Sequence, residues 1–311
     1  GSNQWRWVYF KASGVNGVTP DFRISANNFA GGSSAIANHN FRYSLDGENW
    51  VPFDNHGTTG SIFSFSNNAA FNQDEVWVAH SIPYSYGRAA DQVAQYKLSP
   101  YVSPTTSANA DLVIGQSPGG TDDLGRTIAP LDMWGFKLTD NSVPAAGKTK
   151  IVLASGLHAN EVLGTYTLEG TLEWLLSDDS RASELRKVAE FYVYPMLNPD
   201  GRFAGNNRAT IDTPNQDPNR DWSPTIPGRT SANFGESELG AHFDATFETA
   251  FHPTRGVEYY EEMGKDIGVA FFNTLARINA DINRDGFVGI DDLNFLLSNW
   301  NTNVPTGDWD S

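Results

Sequence analysis

The sequence predicts a multidomain chain of the β plus α/β class. We expect an N-terminal antiparallel β-sandwich, then an α/β/α domain with a mixed sheet, then a small EF-hand-like calcium loop and helix. Residues 1–105 alternate short apolar and aromatic runs with turn residues, as sandwich strands do. Residues 110–278 alternate strand and helix patterns, and residues 279–311 space oxygen-bearing side chains as a calcium loop does.

Composition narrows the class of protein. Hydrophobic residues make up 39% and charged residues 19% of the 311 residues, which indicates a folded chain. The formal net charge of −16 repels phosphate backbones, so we expect no nucleic-acid partner. No apolar run reaches the ~20 residues of a membrane span. The absence of cysteine excludes disulfides and thiolate ligands, so any zinc site must use His, Asp and Glu.

The first segment carries strand and turn signals. Short alternating runs at 5–10 and 21–24 predict antiparallel strands. The stretch 41–50 predicts a hairpin, because Asp46-Gly47 supplies the positive φ that its turn requires. We therefore predict an all-β segment up to about residue 105, with a Ser-, Thr- and Pro-rich connector over 99–109.

The middle segment has a strand–helix–strand pattern. Residues 150–156 are apolar without polar alternation, which predicts a strand buried on both faces of a sheet. Helices over 160–176 and 180–189 and a strand over 191–197 complete a βαβ unit. The remaining predictions are a polar loop over 198–234 and helices over 236–251 and 256–278.

His158 and Glu161 directly follow the first of these strands. The C-terminal ends of strands are where open α/β sheets place their sites. Three residues apart at a helix start, an imidazole and a carboxylate can point to one side and share a cation. A plain surface pair is the alternative.

Polar residues also follow the second strand. Asn198-Pro199-Asp200-Gly201 ends it, and Arg208, Asn219 and Arg220 come soon after. Guanidinium and amide donors gathered at one sheet edge would bind a carboxylate or a developing oxyanion. The alternative is that each arginine pairs at the surface with Asp217 or Asp221.

Together these motifs resemble the zinc carboxypeptidase family, and in particular its cytosolic-carboxypeptidase-like subgroup, over most of residues 1–278. The resemblance implies a carboxypeptidase-like α/β/α domain behind a β-sandwich, with Zn²⁺ as cofactor and peptide or protein C-termini as substrates. It assigns His158 and Glu161 as zinc ligands and Arg208 as the catalytic residue that polarises the scissile carbonyl. It assigns Asn219 and Arg220 to the substrate's C-terminal carboxylate.

The chain departs from that family after Trp222, where too few residues remain for the family's later strands, so the domain reads as shortened. Those strands carry a third zinc ligand and a glutamate general base. His242 or His252 could be the third ligand, although a helix surface and a helix end are their plainer settings. Glu258, Glu261 and Glu262 could supply the base, although the helix dipole also favours acidic residues there.

Two hypotheses of different classes therefore stand. The first is a metallocarboxypeptidase that hydrolyses the C-terminal peptide bond with a metal-activated water. The second is a non-catalytic or truncated carboxypeptidase-like domain without the third ligand and the base, which binds at most a metal or a peptide.

The C-terminal segment has calcium-loop spacing. Positions one, three, five, seven and twelve of the loop are occupied, in order, by Asp281, Asn283, Asp285, the backbone of Phe287, and Asp292. The spacing predicts bound Ca²⁺, and an acidic turn before a helix is the alternative. The segment resembles a dockerin-type repeat, which implies a secreted or extracellular, bacterial protein. A cohesin-type docking partner would follow, although a single repeat is present where such modules usually carry two.

Overall fold

The structure is a computed structural model. It describes residues 7–27, 36, 41–108, 110–122, 125–205, 210–211, 217–219, 246–247, 249, 252, 254–276 and 290–299. None of the helices in these ranges is long and apolar enough to cross a membrane. The domain boundaries at 105, 110 and 279 stay a prediction.

Two antiparallel sheets face each other in the N-terminal part. Their order is β1-β7-β3-β4 and β2-β6-β5. Phe41 and Phe65 stack between the sheets with ring centroids 4.4 Å apart. The predicted N-terminal antiparallel sheets are therefore confirmed. The strands are β1 (Tyr9–Ser13), β2 (Phe22–Ser25), β3 (Arg42–Ser44), β4 (Trp50–Pro52), β5 (Asn55–Thr59), β6 (Ile62–Ser66) and β7 (Glu75–Ala79).

The predicted hairpin joins β3 and β4. Gly47 has φ +86°, the left-handed conformation that favours glycine. The Asp46 carboxylate accepts hydrogen bonds from the backbone amides of Glu48 and Asn49 at 2.9 and 2.8 Å. The side-chain amide of Asn49, which donates to Oδ2 of Asp46 at 2.7 Å, and then these backbone bonds hold the pKa of Asp46 well below its usual range and fix the turn.

The all-β prediction for residues 1–105 is wrong at its end. Helix α1 spans Tyr86–Tyr96 and is capped by Ser85, whose hydroxyl accepts from the Arg88 amide at 3.0 Å. Its buried face is formed by Ala89, Val93 and Tyr96, which follow the 3.6-residue period of a helix. Most of these side chains are small, so the helical period is hard to see in the sequence. Strand β8 (Val102–Pro104) lies within the predicted connector and pairs with a strand of the second unit, β13 (Phe136–Leu138).

A mixed sheet forms the centre of the second unit, as predicted. Its order is β14-β15-β13-β8, where β14 is Thr149–Ala154 and β15 is Ala189–Tyr194. Only the β14–β15 pair is parallel. Helices α2 (Leu163–Leu176) and α3 (Ser180–Val188) connect that pair, which confirms the βαβ unit.

Burial differs between the two parallel strands. The prediction that β14 is buried on both faces is wrong, because Val152 is 63% exposed. Among the described strands β14 has a partner on one side only and forms the sheet edge. Strand β15 lies between two partners, and its Phe191 and Val193 are fully buried.

Two short antiparallel pairs and three more helices complete the described elements. Strand β9 (Val113–Gln116) pairs with β12 (Asp132–Trp134), and β10 (Gly120–Thr121) pairs with β11 (Thr127–Ile128). Helix α4 (Pro199–Ala204) stands where a loop was predicted, because Asn198 caps it and proline occupies its first turn. The other helices are α5 (Val257–Leu275) and α6 (Ile290–Asn299).

The predicted helix over 236–251 is not seen at its described positions. Residues 246, 247 and 249 are non-helical, in keeping with the low helix propensity of threonine and phenylalanine. The rest of that segment lies outside the described residues. Helix α5 confirms the helix predicted over 256–278.

Helix α5 packs on α2 through glycines. A Cβ atom at Gly264 would stand 1.9 Å from the carbonyl oxygen of Thr167, and one at Gly170 would stand 2.1 Å from that of Glu261. The Thr171 hydroxyl donates to the Gly264 carbonyl at 2.8 Å. The two backbones therefore approach closer than any side chain would allow.

Candidate zinc site

The turn after β14 places the first candidate ligands. The Leu197 amide donates to the Ser155 carbonyl and the Asn198 amide to the Gly156 carbonyl, both at 3.0 Å. Gly156 has φ +67°, and a Cβ there would lie 3.2 Å from Cα of Met196. The chain therefore turns tightly beside the next strand, and His158 follows at the C-terminal edge of the sheet, as predicted.

His158 and Glu161 face each other at this edge. The buried imidazole has its Nδ1 atom 2.9 Å from Oε2 of Glu161. Its Nε2 atom lies 3.0 Å from Oδ1 of Asp217, which also accepts the backbone amide of Asn219 at 3.0 Å. The structure thus brings His158, Glu161 and Asn219 to one place.

These donors fit Zn²⁺ in chemistry. An imidazole nitrogen and a carboxylate oxygen that converge on one point are ordinary zinc ligands. A carboxylate on the other ring nitrogen fixes the tautomer and the orientation of a metal-binding histidine, which is the position of Asp217. In the described ranges no three His, Cys, Asp or Glu side chains are grouped to hold an ion. Two candidate ligands therefore lie side by side, and no third candidate joins them among the described residues.

Asp217 is a candidate site residue that the sequence motifs did not assign to the site. The sequence offered it only as a surface partner for an arginine. The available signal was its position two residues before Asn219, within the motif already assigned to the site. A ligand histidine needs a partner for its second nitrogen, so a nearby acidic residue was worth testing.

His252 lies in a turn before α5. Its Nδ1 atom accepts the backbone amides of Thr254 and Arg255, both at 3.2 Å, and its own amide donates to the Tyr260 hydroxyl at 2.9 Å. These contacts are structural, and none of them involves His158 or Glu161. A zinc role for His252 stays a prediction.

Other predicted site residues cannot be located. Arg208, Arg220 and His242 lie outside the described residues, as do the calcium-loop candidates Asp281, Asn283, Asp285 and Phe287. Asp292 falls in α6, but its side chain is not described.

The three acidic candidates for the general base line a groove between α2 and α5. Glu258, Glu261 and Glu262 share it with Glu173 and Lys265, and neither His158 nor Glu161 lines it. Burial and then the neighbouring Glu173 raise the pKa of Glu261, whose carboxylate lies 3.6 Å from Arg88. Among the described residues, no contact of these glutamates connects them with His158 or Glu161.

Comparisons with known proteins agree with this geometry. The sequence profile of the zinc carboxypeptidase family matches residues 119–255. Cytosolic carboxypeptidase 2 of Danio rerio is 28% identical over 232 residues, which cover 66% of this chain and 30% of that protein. The relatives of this chain are therefore zinc carboxypeptidases, which hydrolyse peptide bonds. They include cytosolic carboxypeptidases.

Two solved structures show the same fold. A putative carboxypeptidase from Burkholderia mallei aligns with a TM-score of 0.57 at 24% identity, over 71% of this chain and 52% of its own. A metallo-carboxypeptidase from Pseudomonas aeruginosa, solved with (2-guanidinoethylmercapto)succinic acid, aligns with a TM-score of 0.55 at 26% identity, over 70% of this chain and 52% of its own. The carboxypeptidase-like α/β fold is confirmed, and the chain spans about half of these solved chains.

The predicted secreted or extracellular, bacterial location is wrong. The curated relatives are named cytosolic carboxypeptidases and come from animals, including Macaca fascicularis, Homo sapiens and Caenorhabditis elegans. Those names place the relatives in the cytosol and give no support to a secreted, bacterial protein. The prediction rested on the calcium-loop spacing, which constrains one ion site and not the compartment.

Proposed function

We propose that this chain is a zinc-dependent metallocarboxypeptidase that hydrolyses the C-terminal peptide bond of peptides or proteins. The observation that carries the proposal is the convergence of His158 Nδ1 and Glu161 Oε2 to 2.9 Å, with Asp217 behind the ring. A buried histidine held between two carboxylates at the end of a parallel strand is arranged for a divalent cation more than for a fold contact.

In the proposed reaction each residue of the site has a separate role. Zinc, when bound, would supply a Lewis acid that polarises the scissile carbonyl and lowers the pKa of a water. His158 and Glu161 would hold it, and Asp217 would keep the imidazole oriented. Asn219 and Arg220 would bind the substrate's terminal carboxylate through amide and guanidinium donors, which selects a free C-terminus. Arg208 would donate to the oxyanion as charge develops there.

The general base is proposed from neighbouring residues. Phe247 and Thr249 are described, and Thr249 Oγ1 lies 3.5 Å from the position of a Cβ on Gly164. Gly164 is three residues after Glu161, in the first turn of α2. Glu248 itself lies outside the described residues, and it is the acidic residue next to Thr249 in sequence. We propose Glu248 as the group that accepts the proton from the attacking water.

Elemental analysis of the purified chain tests the proposal. We expect about one zinc per chain, lost in His158→Ala and kept in the matched control His56→Ala, whose side chain is exposed on β5 of the sandwich. The zinc-loaded chain should release C-terminal residues from a peptide mixture. A chain without zinc, or zinc that survives His158→Ala, would sink the proposed function.

The second hypothesis keeps a specific observation in its favour. Among the described residues no three His, Cys, Asp or Glu side chains are grouped to hold an ion, so neither a third zinc ligand nor a general base is placed beside His158 and Glu161. A non-catalytic or truncated domain would bind zinc or a peptide without hydrolysis. Zinc that depends on His158, together with no peptide release, would favour this second reading.

We also propose a calcium site in the segment 279–311, from spacing alone. Calcium titration calorimetry should show one binding event that Asp281→Ala abolishes, whereas an acidic turn would give no heat in either protein. A cohesin-type docking partner stays a prediction.

A further inference from the structure

Arg202 is a buried cation in α4 beside the candidate site. The residue is 7% exposed. Nη1 donates to the Tyr84 carbonyl at 3.1 Å and Nη2 to the Thr165 hydroxyl at 3.3 Å. Within the described ranges Nε has no hydrogen-bond partner and no carboxylate forms an ion pair with the guanidinium. Buried charges are normally paired, so this arginine requires an explanation.

Other buried arginines of this unit have local explanations. Arg186 donates to the carbonyls of Leu175 and Ser177 at the end of α2 and lies 4.0 Å from the centroid of the Tyr101 ring. Arg88, which is less buried, pairs with Glu169. Arg202 caps no helix C-terminus and pairs with no described carboxylate. Its explanation therefore lies in what it touches.

The guanidinium of Arg202 lies close to both ends of the segment that carries the candidate zinc ligands. Its Nη2 atom lies 3.5 Å from the position of a Cβ on Gly156, and the same atom donates to Thr165. His158 and Glu161 stand between these two residues. One planar group therefore lies beside the start of this segment and is hydrogen-bonded to its end.

The electrostatics agree with this placement. Burial lowers the pKa of Arg202 to about 10, and Tyr84, Tyr166 and Glu161 act in the opposite direction. Glu161 is the carboxylate among these groups, and its effect on the pKa is the smallest of the three. At neutral pH the guanidinium stays charged and keeps its planar fork of donors.

We propose that Arg202 is a positioning residue that holds the Gly156–Thr165 segment in place, so that His158 and Glu161 face each other before any metal binds. Only its consequence for zinc rests on the proposed function. The planar fork, with donors to a carbonyl and a hydroxyl on separate elements, is what a lysine at this position would lack.

Hydrogen exchange of the metal-free full chain tests the proposal independently of zinc. We expect the amides of 156–165 to exchange about tenfold faster in Arg202→Met and in Thr165→Val. Arg202→Lys should restore little of the protection. Arg186→Met is the matched control, because it removes another buried arginine of the same unit and should leave exchange in 156–165 at the wild-type rate. If Arg202→Met does not fold, the nearly isosteric Thr165→Val decides.

Zinc competition with a chromophoric chelator tests the consequence. Zinc affinity should fall about 10- to 100-fold in Arg202→Met and Thr165→Val and stay unchanged in Arg186→Met. Unchanged exchange in both Thr165→Val and folded Arg202→Met would overturn the positioning role. A wild-type chain that binds no zinc would overturn the proposed function, and the exchange rates would still decide the role of Arg202.

Discussion

The Nε2 atom of His158 lies 3.0 Å from Oδ1 of Asp217, 59 residues later in the chain. This contact turns the opposite ring nitrogen, Nδ1, toward Glu161. Because Asp217 also accepts the Asn219 amide, the carboxylate is fixed from two sides. The histidine therefore has Nε2 anchored and Nδ1 directed at Glu161, which is the arrangement that the proposed zinc site requires.

Asp217→Asn should weaken zinc binding. An amide keeps the shape but loses the charge that raises the basicity of the ligand imidazole, so we expect about a 10- to 100-fold lower affinity. Chelator competition measures it. Asp21→Asn, at an exposed site paired with Arg23, is the control and should bind as the wild type does. Equal affinities in both variants would remove Asp217 from the site.

Glu248→Gln should abolish peptide hydrolysis and leave the zinc content at the wild-type level. General-base catalysis contributes about 10²- to 10⁴-fold, so the rate constant should fall by that amount. Glu262→Gln is the control, because its exposed carboxylate pairs with Lys265 at 3.0 Å in the groove between α2 and α5, which neither His158 nor Glu161 lines. A Glu248→Gln chain with full activity would show that another group accepts the proton.

Gly264→Ala should destabilise the contact between α2 and α5 strongly. Its Cβ would stand 1.9 Å from the Thr167 carbonyl and 2.6 Å from the Thr171 amide, which are backbone atoms that cannot turn aside. We expect a loss of about 3 kcal/mol or more in the free energy of unfolding. Urea unfolding measures it. Gly115→Ala, where a Cβ would meet open space, should change stability little, and equal values for the two would contradict this account.

Arg42→Met should loosen the attachment of the sandwich to the segment before α5. The buried guanidinium donates to the carbonyls of Arg255 at 2.6 Å and His252 at 3.3 Å. Leaving buried acceptors unpaired costs about 1–3 kcal/mol, so thermal unfolding should begin at a lower temperature. Arg23→Met is the control, because that side chain is 70% exposed. Identical melting curves for Arg42→Met and the wild type would show that these two hydrogen bonds contribute nothing to stability.

Glu173→Gln should stabilise the fold at neutral pH. Burial and then the neighbouring Glu169 raise the pKa of Glu173, so the folded state disfavours its charged form. Stability from this group is present below its ordinary pKa and is lost as the pH rises through the raised value. The amide removes that loss and should raise Tm by about 1 °C at pH 7 and leave it unchanged at pH 4. An equal shift of Tm at pH 4 and pH 7 would point to a cause other than the ionisation of Glu173.

Local signals in the sequence predicted much of the α/β unit. The apolar runs of β14 and β15 and the helices between them obey short-range periodicities, which sequence records directly. His158 and Glu161 are three residues apart, so their meeting is also a local matter. Helix α1 was not predicted, because an apolar face formed by Ala89 and Val93 is a weaker signal than the aromatic strand patterns before it.

Contacts between distant segments were decided only by the tertiary structure. The partner of His158 is 59 residues away, and nothing in the spacing of Asp217 shows that it reaches the ring. The glycines of α2 and α5 look like ordinary weak helix positions until the two backbones are seen in contact. In the sequence Arg202 is one more charged residue, and its burial against Tyr84 and Thr165 depends on segments that are distant along the chain. The sequence determines which side chains are close along the chain. Packing determines which residues from distant segments contact them, because burial and close approach are properties of the assembled helices and strands.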